Sequence, residues 1–145
     1  IGVIVKFDTS DEIASSAAFQ TYAHNVAMQI AALNPEYLDE NAVPADRVEK
    51  EKAILTEQIV GEGKPANIAE KIVAGRLNKF FKEICLVDQV YVQDSSMTVK
   101  QYTESVAKEL GGEIKIAAYT RFEKGEGLEK RDDSNYAQEI AELVK

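Results

Sequence analysis

Few side chains in this sequence are of a type that does chemistry, and they are scattered. His24, the only histidine, lies in the stretch Tyr22-Ala23-His24-Asn25 with no cysteine or carboxylate at metal-ligand spacing, so it reads as a structural or surface residue. Cys85 follows the Phe80-Phe81 pair on an apolar helix face with no histidine near it in sequence, which reads as a buried, inert thiol. Gly125-Glu126-Gly127 is a GxG turn. A phosphate cradle needs backbone N–H groups opening a helix, with a cation close by, and this loop carries Glu123, Glu126 and Glu129 instead. The acidic pairs Asp11-Glu12, Glu49/Glu51 and Asp132-Asp133 fall at helix starts or on polar faces, where the helix dipole and water account for them. The reading is of a non-enzyme with no catalytic residue, cofactor or metal.

Composition narrows the partners. A net charge of −8 over 145 residues repels phosphate backbones, and the basic grouping Arg76, Lys79 and Lys82 is short and mixed, so no nucleic-acid site is expected. No apolar run nears membrane-spanning length, and no signal peptide is evident, so a membrane partner is not expected either. A single cysteine fits a reducing, cytoplasmic setting. Hydrophobic residues at 45% and charged residues at 29% suit one globular domain with a real core. The sequence opens at Ile1 on an apolar run without an initiator methionine, and it reads as a piece of something longer.

The elements that position these residues are legible from periodicity. Residues 2–7 (GVIVKF) are β-branched and apolar and predict a strand. Ser10 or Asp11 caps a helix predicted to run unbroken to about Leu33, with Ile13, Ala17, Val26, Ile30 and Leu33 on one face and Asn34-Pro35 ending it. Pro44 opens a second helix whose stripe is Val48, Ile54, Leu55 and Ile59. Residues 61–65 (GEGKP) break it, and a third helix follows with Ile68, Ile72, Val73, Leu77, Phe80, Phe81 and Ile84 in phase. Two striped helices joined by a five-residue turn predict an antiparallel hairpin. Residues 90–92 are a short strand candidate. Residues 98–110 form a helix stopped by Gly111-Gly112, and 114–122 form a second half-buried strand. Ser134 or Asn135 caps a last amphipathic helix carrying Tyr136, Ile140, Leu143 and Val144, which needs its own core or a partner to dock on. The fold class is α+β: a small antiparallel sheet with packed helices, an inserted helical hairpin and a C-terminal helix.

Several stretches, in order along nearly the whole chain, resemble the bacterial elongation factor Ts family. They are AMQIAA at 27–32 with Asn34-Pro35-Glu36-Tyr37, Val48-Glu49-Lys50-Glu51, Gly63-Lys64-Pro65 with 68–73 (IAEKIV), Gly75-Arg76-Leu77 with Lys79-Phe80, Arg121-Phe122-Glu123, Gly125-Glu126-Gly127, and Tyr136-Ala137 with Glu139. The resemblance implies a guanine-nucleotide exchange role: binding elongation factor Tu and distorting its nucleotide and magnesium site so that GDP leaves. It implies a core and dimerisation-type domain over 1–133, with the hairpin inserted at about 44–86, and a C-terminal helical module over 134–145. Val92 and Gln93 fall where the family touches the third domain of elongation factor Tu. Tyr136, Ala137, Ile140 and Leu143 fall where the terminal module packs on the GTPase domain. Ile54 and Leu55 are implied as a self-association face of the hairpin, and a self-associating structural domain is the alternative reading. The family's Thr-Asp-Phe-Val wedge motif does not occur in the chain, and Gln29 stands where many members have histidine.

Overall fold

The structure, a computed structural model, describes residues 1–128. Its elements run β1 (Gly2–Asp8), α1 (Asp11–Ala14), α2 (Ala17–Leu33), α3 (Ala45–Gly61), α4 (Ala66–Ile84), α5 (Val99–Glu109) and β2 (Lys115–Phe122), with short 3-10 turns at Glu40–Ala42 and Leu86–Asp88. This is the α+β class expected, and the predicted terminal helix lies outside the described residues.

β1 and β2 pair antiparallel, from Gly2↔Phe122 to Asp8↔Lys115, with a bulge between Lys6 and Phe7. One face, carrying Val3, Val5, Phe7, Ile116 and Tyr119, packs with Phe19, Tyr22, Val26 and Ile30 of α2 in the main core. The other face leaves Ile4 and Phe122 exposed. Alternation along each strand produces this division, because successive side chains point to opposite faces.

The helix predicted over 11–33 is two helices. Ser16 makes the corner: its Oγ donates to the Ile13 carbonyl at 2.7 Å and accepts the Phe19 N–H at 3.2 Å, closing α1 and capping α2. α2 ends at Asn34, whose left-handed backbone (φ 45°) lets its N–H reach the Ile30 carbonyl before Pro35 forbids another turn. α5 starts on a full capping box between Thr98 and Gln101. It stops at Gly111, where φ is +70°, and a side chain on the next residue, Gly112, would meet Ile13 Cδ1 at 2.4 Å.

The inserted hairpin closes on its own apolar seam. Leu55 and Ile59 of α3 are buried against Ala69 and Val73 of α4. Ile54 and Ile68 do not belong to that seam: they are 50% and 48% exposed, each one residue, and so about 100°, away from the buried row. The root is a second cluster of Val43, Phe81, Ile84 and Cys85 with Tyr37 and Phe80 around it. Arg47 locks the root, bonding Glu36 and the Tyr37 hydroxyl and lying over the Tyr37 and Phe80 rings. No helix among the described residues is long and apolar enough to cross a membrane.

Because the seam shares no buried residue with the main core, the hairpin should open separately. Ile59→Ala removes a fully buried side chain and should cost about 2–5 kcal/mol. Amide hydrogen exchange should then speed up across α3 and α4 while Val26 and Ile30 keep their protection. Equal losses in both regions would show one cooperative unit.

Candidate functional site

The reactive side chains do not converge. His24 is exposed on α2. Cys85 is fully buried, and burial, reinforced by the nearby Asp88, Glu40 and Asp39 carboxylates, pushes its thiol up to about 12, far from a nucleophile's range. The GxG segment is a turn in which Glu126 Oε2 accepts the Glu123 N–H, a negative charge where a phosphate would sit. Among the described residues no three His, Cys, Asp or Glu side chains gather as metal ligands.

What the fold does build is a heavily hydrogen-bonded loop, residues 89–98. The strand predicted at 90–92 is reduced to a single antiparallel bridge, Val90↔Thr98, flanked by bonds from Tyr91 N–H to the Met97 carbonyl and from Val99 N–H to the Gln89 carbonyl. A strand neighbour is replaced by a side chain. Gln29 on α2 is completely buried, and its Nε2 donates to the Val90 carbonyl at 3.1 Å and to Gln89 Oε1 at 3.2 Å. Its Oε1 accepts the Val92 N–H at 2.9 Å. Gln89, buried as well, donates to the Glu83 carbonyl at the end of α4. One turn earlier on α2, Asn25 bonds Gln93 with its oxygen and the Tyr102 hydroxyl with its nitrogen.

Packing fixes the same loop from below. Tyr91 is buried and stacks on Tyr102 at 4.3 Å between ring centres, and contacts continue from Tyr102 to Tyr22 (5.3 Å) and from Tyr22 to Phe19 and Phe7. The ladder thus reaches from β1 to the loop. Thr103 gives its proton to the Val99 carbonyl, so the Tyr22 hydroxyl must donate to Thr103 Oγ1, at 2.8 Å. At the loop tip the Ser96 N–H and hydroxyl both bond Asp94, which holds that carboxyl below its usual range.

The product is a surface of two aliphatic side chains on an immobilised backbone. Val90 and Val92 are 48% and 47% exposed, flanking buried Tyr91, and Gln93 is exposed beside them. Val92 is therefore no core strand residue. Of the residues expected to bind a partner, the structure brings Val92 and Gln93 together; Tyr136, Ala137, Ile140 and Leu143 lie outside the described residues. The self-association pair is split, with Ile54 half exposed and Leu55 turned into the hairpin seam, because adjacent helix positions diverge by about 100°. Sequence reasoning missed Val90, Asn25 and Gln29 as parts of this site. Asn25 and Gln29, four residues apart and so on one face of the helix, were the available signal.

The described residues thus form a small α+β unit with an inserted hairpin and a clamped loop that turns Val90 and Val92 outward. The chain belongs to the elongation factor Ts family: residues 1–126 match the family model described as Elongation factor TS. It is 45% identical to Elongation factor Ts of Acetivibrio thermocellus over 99% of this chain and 67% of that protein. With Elongation factor Ts of Syntrophotalea carbinolica the identity is 46%, covering all of this chain and 47% of the relative. With that of Desulforamulus reducens it is 43%, covering all of this chain and 67% of the relative. The chain thus spans between about half and two thirds of these relatives.

Burial also sets an alkaline limit. It raises Cys85 from 9.0 to about 12, and Tyr22 and Tyr119 from 10.0 to about 12. Each stays protonated in the fold while the unfolded chain has already released its proton, so the stability they supply is full below about pH 9 and lost as pH rises through 12. Urea midpoints should hold to pH 9 and fall steadily by pH 11, and Cys85 should resist alkylation in the native protein. A midpoint unchanged at pH 11 would contradict this.

Proposed function

We propose that this chain is the contact-making core portion of a guanine-nucleotide exchange factor that binds elongation factor Tu in the cytoplasm and promotes GDP release. Family membership supplies the class and implies the partner. The observation that carries the contact role is the loop 89–98, which holds Val90 and Val92 outward on a backbone fixed by Gln29. Exchange by this route is differential binding: the factor favours the partner's nucleotide-released conformation and takes part in no covalent step. The terminal residues Tyr136, Ala137, Ile140 and Leu143 are a second contact in this reading.

Val92→Asp tests it. The side chain is half exposed, so thermal unfolding should stay almost unchanged, while calorimetric titration with elongation factor Tu should weaken about tenfold or more, as for the loss of an interface anchor. Unchanged affinity would remove the loop from the interface.

A second reading, self-association through the hairpin, has behind it only the exposure of Ile54, Val60 and Ile68, which are 50%, 60% and 48% exposed on α3 and α4, and the family match does not favour it. Sedimentation equilibrium of the wild type and of Ile54→Glu should then show a dimer in the first and its loss in the second. A monomer for both over a wide concentration range would dismiss it.

A further inference from the structure

We propose that Gln29 is the positioning residue of the docking loop, and that the affinity for elongation factor Tu depends on its side-chain amide although it touches no partner itself. The inference rests on the docking reading above and extends it from the contact to what prepares the contact. Gln29 is the one side chain seen to bond the loop on both sides of Tyr91, accepting from Val92 N–H and donating to the Val90 carbonyl. These two backbone groups belong to the residues whose side chains face outward. Fixing them fixes the separation and direction of both valines before a partner arrives, so binding does not have to order the loop. Gln93, tied to Asn25, is set by the same helix face.

The amide has a property that makes the role testable. It offers an acceptor and a donor at once and titrates nowhere in the working range. The ionisable side chains of the surrounding elements, namely His24 on α2, Lys79, Lys82 and Glu83 on α4, Asp88 in the 3-10 turn before the loop and Asp94 within it, make no hydrogen bond to it. A neutral histidine in its place keeps one acceptor and one donor. Its protonated form has two donors and nothing to receive the Val92 N–H.

Gln29→Leu and Gln29→His should therefore be titrated with elongation factor Tu at pH 8 and pH 5.5, following amide exchange at Val92, with Val92→Asp as the control. The leucine variant should bind about tenfold more weakly at both pH values, with a fast-exchanging Val92 amide. The histidine variant should bind within about threefold of the wild type at pH 8. Its affinity relative to the wild type should then fall as the imidazole protonates, at a pH below the ordinary histidine range because the site is fully buried. A leucine variant that binds within about threefold of the wild type, while Val92→Asp binds poorly, would overturn the clamp and leave the docking loop standing. If Val92→Asp binds like the wild type, the docking reading itself fails.

Discussion

A side-chain amide removed from water must find a partner for each polar atom or cost the fold heavily. Gln29 sits at zero exposure in the middle of α2 and meets that demand wholly through the loop 89–92. The constraint works in both directions. The loop cannot drift from α2 without orphaning the amide, and α2 cannot shift along the sheet without carrying the loop with it. Its position on the sheet is held by Phe19, Tyr22, Val26 and Ile30, the largest part of the buried core. The outward pair Val90 and Val92 is thus referred, through one buried hydrogen-bonding group, to the frame of the whole α+β unit. The aromatic run from Phe7 to Tyr91 adds a second, apolar tie along the same line.

The hairpin stands in a different relation to that frame. Its root is anchored by Arg47 and the Phe81-Ile84-Cys85 cluster, and beyond the root Leu55 and Ile59 of one arm pack on Ala69 and Val73 of the other. The exposed Arg47–Glu36 pair depresses the Glu36 carboxyl, but an exposed ion pair is worth little. The guanidinium's place across Tyr37 and Phe80 matters more, since it seals the apolar root. The fold therefore joins a loop-bearing platform to an arm whose apolar seam is separate from the main core. A binding module with those two parts can hold one partner surface rigidly while the arm adapts.

Much of this was legible in the residues because local rules and tertiary packing agree. The two strands, the hairpin and its Gly/Pro turn, the capped α5 and the stop at Gly111 all follow from periodicity and capping. The break at Ser15-Ser16 was not legible: a serine pair inside an apolar period reads as a tolerated polar step, and only the double hydrogen bonding of Ser16 turns it into a corner. Residues 90–92 misled for a related reason. Val-Tyr-Val has strand composition, yet the neighbour that satisfies its backbone is a glutamine side chain 61 positions away from Val90, and no local pattern encodes that. Ile54 entered the apolar stripe because a three-helix-turn window tolerates one misphased residue. Val92 and Gln93 came from family resemblance, and nothing in composition would have singled them out. The polar pair beneath them, half-buried Asn25 and buried Gln29, was visible in the sequence four residues apart on α2 and is the feature that explains the shape of the loop.

The central claim is that Val90 and Val92 are held rigidly outward and are covered when elongation factor Tu binds. Methyl NMR of the valines during titration with elongation factor Tu tests it most directly. The account predicts order parameters for the Val90 and Val92 backbone as high as those of α2 in the free protein. On titration it predicts shift changes concentrated on those two residues' methyl groups, while Val26 and Val106 in the core stay in place. Large shifts at Val60 and Val73 in the hairpin with none at Val90 and Val92, or a loop already disordered before the partner is added, would contradict it.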